Sequence, residues 1–251
     1  MKNLIAILFC SLISFSAFAD TITLRADEWC PYNCKPGSAD PGFIIEAAQI
    51  IFKKAGHEVD YQNLPWARAL DSARLGTIVG AVGAGVEDLV NGIIGTKVPQ
   101  ISSRNGFFVK KGDAWTYKNP DSLQQLKTLG VIIDYTYTEE VDNFISQNKQ
   151  KIDAVGGLNP LETNMKKLAA GRISAIIEDV NVFNYAANKA QLSSSFSPAG
   201  TLSKQLTIYI AFSEKHSKGK EYLAIFEKGW EELKKSGELK KIATKYGIKD
   251  V

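Results

Sequence analysis

The sequence predicts an α/β protein of two lobes, and three observations support this expectation. Strand and helix patterns alternate from residue 21 onward, an order typical of a largely parallel sheet covered by helices. The alternation begins anew after Lys111-Gly112-Asp113, which indicates a second lobe. The hydrophobic content of 45% is ample for packed cores, and the length fits two lobes of about 100 residues each.

The first lobe opens with an alternating apolar and polar strand at residues 21–26, followed by a loop dense in Pro, Gly and Asp. Residues 43–55 place their apolar side chains on one face of a helix, and Gly56 ends it. The remaining predicted elements of this part are a strand at 59–64, a helix that Pro65 opens and Gly76 ends, and a small-residue strand at 78–84.

The rest of the chain repeats this alternation of apolar runs and helical periodicity. Gly171 ends one of the helices, and Ser236-Gly237 breaks the C-terminal helical region. The predicted strands cover residues 104–110, 130–134, 173–177 and 206–212. One predicted helix begins near Thr138, and the others cover residues 161–170, 182–190 and 220–246.

The N-terminus predicts a secretory signal peptide over residues 1–19. Lys2 gives a short basic start, the stretch that follows is almost wholly apolar, and Ala17-Phe18-Ala19 is a small-x-small cleavage site. We therefore expect cleavage after Ala19. We also expect a soluble, exported chain, because no later apolar run reaches the roughly 20 residues that a membrane helix needs.

The charge balance argues against a nucleic-acid partner. The full chain carries a net charge of +3, and loss of Lys2 with the signal peptide leaves +2, which is near neutral. Basic pairs such as Lys234-Lys235 are spaced by glutamates, which is the pattern of a solvated helix face.

Two cysteines remain after the signal peptide, Cys30 and Cys34, in the stretch WCPYNC. An even pair in an exported protein most often forms a disulfide, which here would hold a local bend. A thiol oxidoreductase is a weaker alternative, because its redox pair has two intervening residues rather than three and lies in a βαβ context that is lacking here.

Four segments of the chain are characteristic in their order and spacing. They read PGFIIEAAQIIFKKAG, LPWARALDSARLG, LAAGRISAIIEDVNVFNYAA, and LTIYIAFSEKH followed by EKGWEELKKSGELKKIATKYGI. Over nearly the whole mature length, the chain thereby resembles the periplasmic solute-binding proteins of ABC importers, of the polar-amino-acid-binding type. Ser174 stands where the family usually has Asp.

The resemblance implies two α/β lobes joined by two hinge strands, with the ligand in the cleft between them. Lobe one would comprise residues 20–109 with 208–251, and lobe two would comprise residues 110–207. It also implies a periplasmic location, closure of the hinge around a small polar solute, and a membrane permease of an ABC importer as partner. We expect a monomer without a cofactor.

The resemblance also implies where the ligand binds. Trp29 and Tyr32 are expected as cleft aromatics on a loop that the disulfide fixes, and Trp66 and Arg68 are expected at the cleft edge. The rings of Trp29, Tyr32 and Trp66 can instead belong to the core, and Arg68 can be a surface residue. The guanidinium group of an Arg can form a bidentate hydrogen-bonded pair with a carboxylate, which the ammonium group of a Lys cannot do.

Acids and hydroxyls complete the expected site. Asp179 matches the family's carboxylate that receives a ligand ammonium group, although an Asp after a strand is also a common helix cap. Its neighbour Glu178 is a weaker candidate for the same role. Thr136 and Thr138 precede a helix whose N-terminus can accept an anion, or they simply cap it.

The chain departs from the family in the stretch GAGVEDLVNG. Amino-acid binders carry here a Thr and then an Arg that holds the α-carboxylate, whereas this chain has Glu87 and Asp88 and no Arg. A standard α-amino acid is therefore in doubt. Arg68 or Arg104 could replace the missing Arg, or the ligand could lack a carboxylate. The two acids Glu87 and Asp88, as ligand contacts near the cleft, would suit a cationic ligand.

An enzyme on the same fold is the main alternative. Cyclohexadienyl dehydratases resemble these binding proteins, and Glu87 or Glu178 could then act as the general acid. A metal site is less favoured, because the only histidines, His57 and His216, lie near no cysteine or second histidine in the sequence.

Overall fold

The computed structural model describes residues 19–248. The predicted signal peptide, apart from Ala19, lies outside the described residues. Across the described chain, no helix is long and apolar enough to cross a membrane.

The strands are mostly short and form two separate sheets. In chain order they are β1 (Thr21–Ala26), β2 (Glu58–Asn63), β3 (Gly80–Gly85), β4 (Ile93–Gly95), β5 (Ile101–Ser103), β6 (Asn105–Lys110), β7 (Leu129–Ile132), β8 (Ile152–Val155), β9 (Ala175–Asp179), β10 (Phe196–Thr201) and β11 (Leu206–Ser213).

The helices lie between the strands and at the C-terminus. They are α1 (Phe43–Lys54), α2 (Trp66–Leu75), α3 (Glu139–Gln147), α4 (Pro160–Ala169), α5 (Val180–Lys189), α6 (Gly219–Ser236) and α7 (Glu238–Lys245). Short 3-10 turns occur in addition at Val86–Asp88, Pro120–Gln125, Lys149–Lys151 and Ser193–Ser195.

The first sheet has the strand order β2-β1-β3-β11-β4, and β5 pairs with β11. Strand β1 runs parallel to β2 and β3, whereas β11 runs antiparallel to its neighbours. Helices α1 and α6 pack together on one face, where Phe52 meets Phe226. Helix α2 packs Leu70 and Ala73 with Ala81 of β3 in a separate core cluster.

The second sheet has the order β10-β6-β9-β7-β8. Its faces bury different clusters: Phe108 stacks on Phe183 of α5, whereas Phe107 packs with Phe144 of α3. The sequence-based boundary at residue 109 assigned the β6 segment to the first lobe. In the structure β6 pairs with β9 and β10, so this strand belongs to the second sheet.

The chain passes twice between the sheets, from β5 to β6 and from β10 to β11. The backbone N–H of Leu202 donates to the carbonyl oxygen of Asn105 at 2.9 Å, so the two crossings run side by side. We call residues 19–103 with 206–248 the first lobe and residues 105–201 the second lobe. The fold is therefore the expected mixed α/β architecture of two lobes.

The WCPYNC loop is bound to the start of α1. Cys30 and Cys34 form a disulfide, and both residues are buried. The N–H groups of Phe43 and Ile44 donate to the carbonyl oxygens of Pro31 and Tyr32 at 3.0 and 2.9 Å, which satisfies free donors of the helix N-terminus. The loop thus caps a helix and places its aromatic rings.

Gly42, just before α1, permits this close packing. Its φ of +103° favours glycine, and a Cβ there would lie 2.6 Å from the carbonyl oxygen of Tyr32. Any larger residue at this position would push the loop away from the helix.

Candidate functional site

A cavity of about 40 Å³ lies between the two lobes. Both lobes and the crossing strands contribute to its wall, as expected for a cleft at strand ends. The residues of this cavity wall are Asp27, Trp29, Trp66, Val82, Gly83, Gly85, Glu87, Asp88, Ser103, Asn105, Tyr135, Thr136, Tyr137, Glu178, Leu206 and Ile208.

Side-chain hydrogen bonds join the two lobes across this cavity. The indole Nε1–H of Trp29 donates to Oε1 of Glu178 at 2.9 Å, and the hydroxyl of Tyr135 donates to Oδ2 of Asp27 at 2.7 Å. The ring of Trp66 meets the ring of Tyr135 edge-on, with centroids 6.5 Å apart. The structure therefore shows the lobes closed on each other.

Glu178 lies near the end of β9, and its side chain is buried at the cavity wall. Its Oε1 accepts hydrogen bonds from Trp29 Nε1 and, at 2.8 Å, from the backbone N–H of Asp179, whereas its Oε2 is buried without a partner. Burial raises the pKa of Glu178 to about 8, because the charged form loses its water. The carboxyl group is therefore largely protonated near neutral pH.

Two further acids of the wall also have raised pKa values. Asp27 follows β1 directly, and burial raises its pKa to about 7 in spite of the Tyr135 hydrogen bond. Burial raises the pKa of Asp88 to about 6, although the Gly85 N–H donates to its carboxylate at 3.0 Å.

The cavity wall contains four acidic side chains and, among the described residues, no basic one. Asp27, Glu87, Asp88 and Glu178 line it, and none of the described residues of the wall is Arg, Lys or His. Arg68, expected at the cleft edge, is exposed on α2 and lies outside the wall. Arg104 is likewise exposed and outside the wall, although Ser103 and Asn105 beside it belong to the wall.

Four of the residues that the sequence predicts as ligand contacts meet in the cavity wall: Trp29, Trp66, Glu87 and Thr136. Tyr32 lies behind the wall, where its ring packs 4.8 Å from that of Trp29 and its hydroxyl accepts a hydrogen bond from Asn181 of the second lobe. Contacts of the four wall residues with a ligand stay predictions.

Thr138 is buried outside the wall, and its hydroxyl oxygen has no partner. The backbone N–H of Tyr137 donates to the carboxylate of Asp142 at 3.2 and 3.3 Å. Asp142 of α3 thus binds the N–H of Tyr137, two residues before the helix begins, and a ligand anion at this helix start stays a prediction.

Asp179 lies behind the cavity wall and caps α5. Its Oδ1 accepts from the N–H groups of Asn181 and Val182, and its Oδ2 accepts from the Ser103 hydroxyl and the Arg104 N–H. Burial raises the pKa of Asp179, and these four hydrogen bonds oppose the rise. The side chain ties the first crossing strand to α5, and its neighbour Glu178 is the acid that reaches the wall.

The sequence interpretation did not single out Asp27, Tyr135, Tyr137, Ser103 or Asn105 as site residues. A usable signal existed for Asp27, because it follows a predicted parallel strand and the carboxyl ends of such strands meet at the ligand edge. Ser103 and Asn105 reach the wall through the lobe crossing, which no local pattern marks.

Comparisons with known proteins agree with this architecture. The model of the family described as bacterial extracellular solute-binding proteins, family 3, matches residues 24–249. No curated protein sequence matches the chain significantly.

Three similar solved structures show the range of relatives. A histidine kinase sensor domain with similarity to periplasmic binding proteins has a TM-score of 0.78 at 16% identity, covering 92% of this chain and 98% of its own. An ancestral arginine-binding protein bound to arginine has a TM-score of 0.75 at 20% identity, covering 90% of this chain and 97% of its own. A substrate-binding protein of an ABC uptake transporter from Streptococcus pneumoniae, with bound histidine, has a TM-score of 0.74 at 17% identity. It covers 92% of this chain and 94% of its own. At these identities the likeness shows the fold.

Proposed function

Since the chain belongs to the bacterial extracellular solute-binding proteins, family 3, we propose that it captures a small polar solute between its lobes and delivers it to an ABC importer. The solute is an amino acid or a related amine, and the partner is the membrane permease of that importer. The protein acts in the periplasm as a monomer, after export and cleavage behind Ala19.

The observation that carries this proposal is a cavity whose wall both lobes supply. Trp29 and Asp27 come from the first lobe, Glu178 and Tyr135 come from the second, and the two crossings between β5 and β6 and between β10 and β11 act as the hinge. The cavity of about 40 Å³ has room for a few water molecules. A larger solute therefore enters only when the lobes separate, and it becomes enclosed when they close.

A thermal-shift screen of the mature protein against amino acids, amines, organic acids and small peptides tests the proposal. A solute present at a hundred times its dissociation constant adds about 2.7 kcal/mol to the free energy of unfolding. Small-angle scattering with a solute that binds then measures whether the radius of gyration changes with binding. A screen in which no solute raises the melting temperature would overturn the proposal.

A cyclohexadienyl-dehydratase-like enzyme is the second candidate, and Glu178 is the observation that favours it. A buried carboxyl group that stays protonated near neutral pH can act as a general acid. Incubation with a cyclohexadienyl substrate decides between the two, followed by the absorbance of an aromatic product. Product that forms with the wild type and not with Glu178→Gln identifies an enzyme.

A further inference from the structure

The proposed solute site combines several carboxyl groups with aromatic rings and, in the described wall, no basic side chain. We infer that the solute is an organic cation with an ammonium or guanidinium group and no carboxylate, and that this cation binds the free Oε2 of Glu178. The inference rests on the proposed function, because it names the class of solute that the cleft takes.

The first argument is the unpartnered oxygen of Glu178. The residue is 1% exposed, and while two donors occupy Oε1, the buried Oε2 has none. Buried polar atoms in folded proteins nearly always have a partner, and leaving one without a partner costs free energy. An ammonium group offers three donors and no acceptor, which suits an oxygen in a wall of acids.

The second argument is that the described wall offers no basic side chain to which a solute carboxylate could bind. The donors that usually hold such a group are an Arg side chain or the free amides of a helix N-terminus. The N–H groups at the start of α1 bind Pro31 and Tyr32. Those at the start of α5 bind Asp179, and Tyr137 before α3 binds Asp142. A carboxylate in the cavity would therefore lie beside Asp27, Glu87, Asp88 and Glu178 without a cationic side chain of the described wall to pair with.

The third argument is the aromatic part of the wall. Trp29, Trp66, Tyr135 and Tyr137 all line the cavity, and the rings of Trp66 and Tyr135 come from opposite lobes. The faces of indole and phenol rings attract cations, most strongly where water is excluded. Closure of the lobes would thus surround a cation with rings as well as acids.

Cation binding at Glu178 has a consequence that can be measured. Burial raises the pKa of this group to about 8, so near neutral pH it must release its proton before it can pair with a cation. Binding of a cation therefore releases up to about one proton per site at pH 7 and strengthens as the pH rises toward 8. A solute that accepts a hydrogen bond from the protonated acid would show the opposite pH dependence.

Matched pairs of probes test the inference on the wild-type protein. Each pair is an amino acid and the amine that lacks its α-carboxylate: L-lysine and 1,5-diaminopentane, L-arginine and 4-aminobutylguanidine, and L-phenylalanine and 2-phenylethylamine. We expect the amine of at least one pair to bind, at least tenfold more tightly than its amino acid. Calorimetry in two buffers of different ionisation enthalpy then measures the proton release.

Glu178→Gln tests the assigned oxygen, because Gln keeps an acceptor for Trp29 and removes the acid. We expect the affinity for the amine to fall at least thirtyfold, as for a buried charge pair that loses one partner. Glu232→Gln, which removes an exposed acid on α6, is the control and should leave the affinity unchanged. If Glu178→Gln does not fold, the proton release of the wild type decides.

The outcomes separate the two proposals. Tighter binding of the amino acid in every pair that binds would overturn the cation inference and leave the solute-binding function standing. An amine that binds without proton release, or equally well to Glu178→Gln, would remove Glu178 from the site. A protein that binds no member of the pairs and no other solute of the wider screen would overturn both.

Discussion

Trp29 of the first lobe donates a hydrogen bond of 2.9 Å to Glu178 of the second lobe, 149 residues further along the chain. Both side chains are buried, and both lie in the wall of the cavity. The bond therefore joins the lobes at the wall of the proposed solute site. Opening of the cleft must break this bond together with that of Tyr135 to Asp27.

Trp29→Phe should loosen the closed arrangement of the lobes. The change removes the indole donor and leaves Oε1 of Glu178 with the backbone N–H of Asp179 alone. We expect a loss of about 1–3 kcal/mol in the free energy of unfolding and, without solute, a larger radius of gyration in small-angle scattering. Trp230→Phe, a change in the core of the first lobe, is the control. Equal radii for wild type and Trp29→Phe would contradict the expectation.

The stability of the protein should fall as the pH rises from about 4.5 to about 8. In the unfolded chain Glu178 loses its proton near the ordinary value of 4.5, whereas in the fold it keeps the proton up to about pH 8. Over this window the folded state binds more protons than the unfolded state, so each pH unit lowers the free energy of unfolding, by at most about 1.4 kcal/mol from this group. Asp27 adds to the fall in the same direction up to about pH 7.

Urea unfolding across this pH range measures the slope. Glu178→Gln should flatten it, because Gln does not titrate, whereas the exposed control Glu232→Gln should keep it. A variant slope as steep as that of the wild type would show that Glu178 ionises normally in the fold.

Asp179→Asn separates two hypotheses about this acid. If Asp179 receives the ammonium group of a ligand, as the family resemblance implies, affinity should fall at least tenfold while the melting temperature barely moves. The structure predicts the reverse. Asn still caps α5, but its amide nitrogen cannot accept the Arg104 N–H, so stability should fall by about 1–3 kcal/mol and affinity should stay within threefold.

Titration calorimetry with a solute from the screen and thermal unfolding of the same samples provide the two readouts. Asp71→Asn, at an exposed position of α2, controls for the loss of one negative charge. A large loss of affinity at an unchanged melting temperature would show that Asp179 contacts the solute.

The disulfide between Cys30 and Cys34 should be present in the exported protein and should be inert. Both residues are at most 5% exposed, so an attacking thiolate cannot readily reach the sulfurs. Mass spectrometry of unreduced protein after alkylation should find no modified cysteine, and thiol–disulfide exchange should not exceed that of a free dithiol. Two alkylated thiols in freshly exported protein would disprove the bond.

Replacement of both cysteines by serine measures what the disulfide contributes. The closed loop is short, so we expect a loss at the low end of the roughly 2–4 kcal/mol typical of disulfides. Solute affinity should fall as well, because Trp29 lies on the same loop and in the cavity wall.

Most helices were predictable because periodicity and glycine are local signals. The predicted start of α1 at Phe43 and the predicted end of α2 before Gly76 agree with the structure, where Gly76 has the left-handed φ of +79° typical of a helix end. Strands β4, β5 and β8 were missed, and so was strand β10. Its sequence FSPAGT does not alternate and contains a proline, which a sheet tolerates at its edge, and β10 is an edge strand.

The sequence by itself determined the two-lobed α/β order, the cysteine pair and the absence of a carboxylate-binding Arg next to Glu87, and it predicts a signal peptide. Only the tertiary structure decided which of two adjacent acids reaches the cavity. Neighbouring residues of a strand point to opposite faces, so Glu178 and Asp179 cannot share one role, and the placement of the lobes selects Glu178. The same placement brings Asp27 to Tyr135, 108 residues away, a pairing that no local pattern encodes because it depends on how the two lobes close.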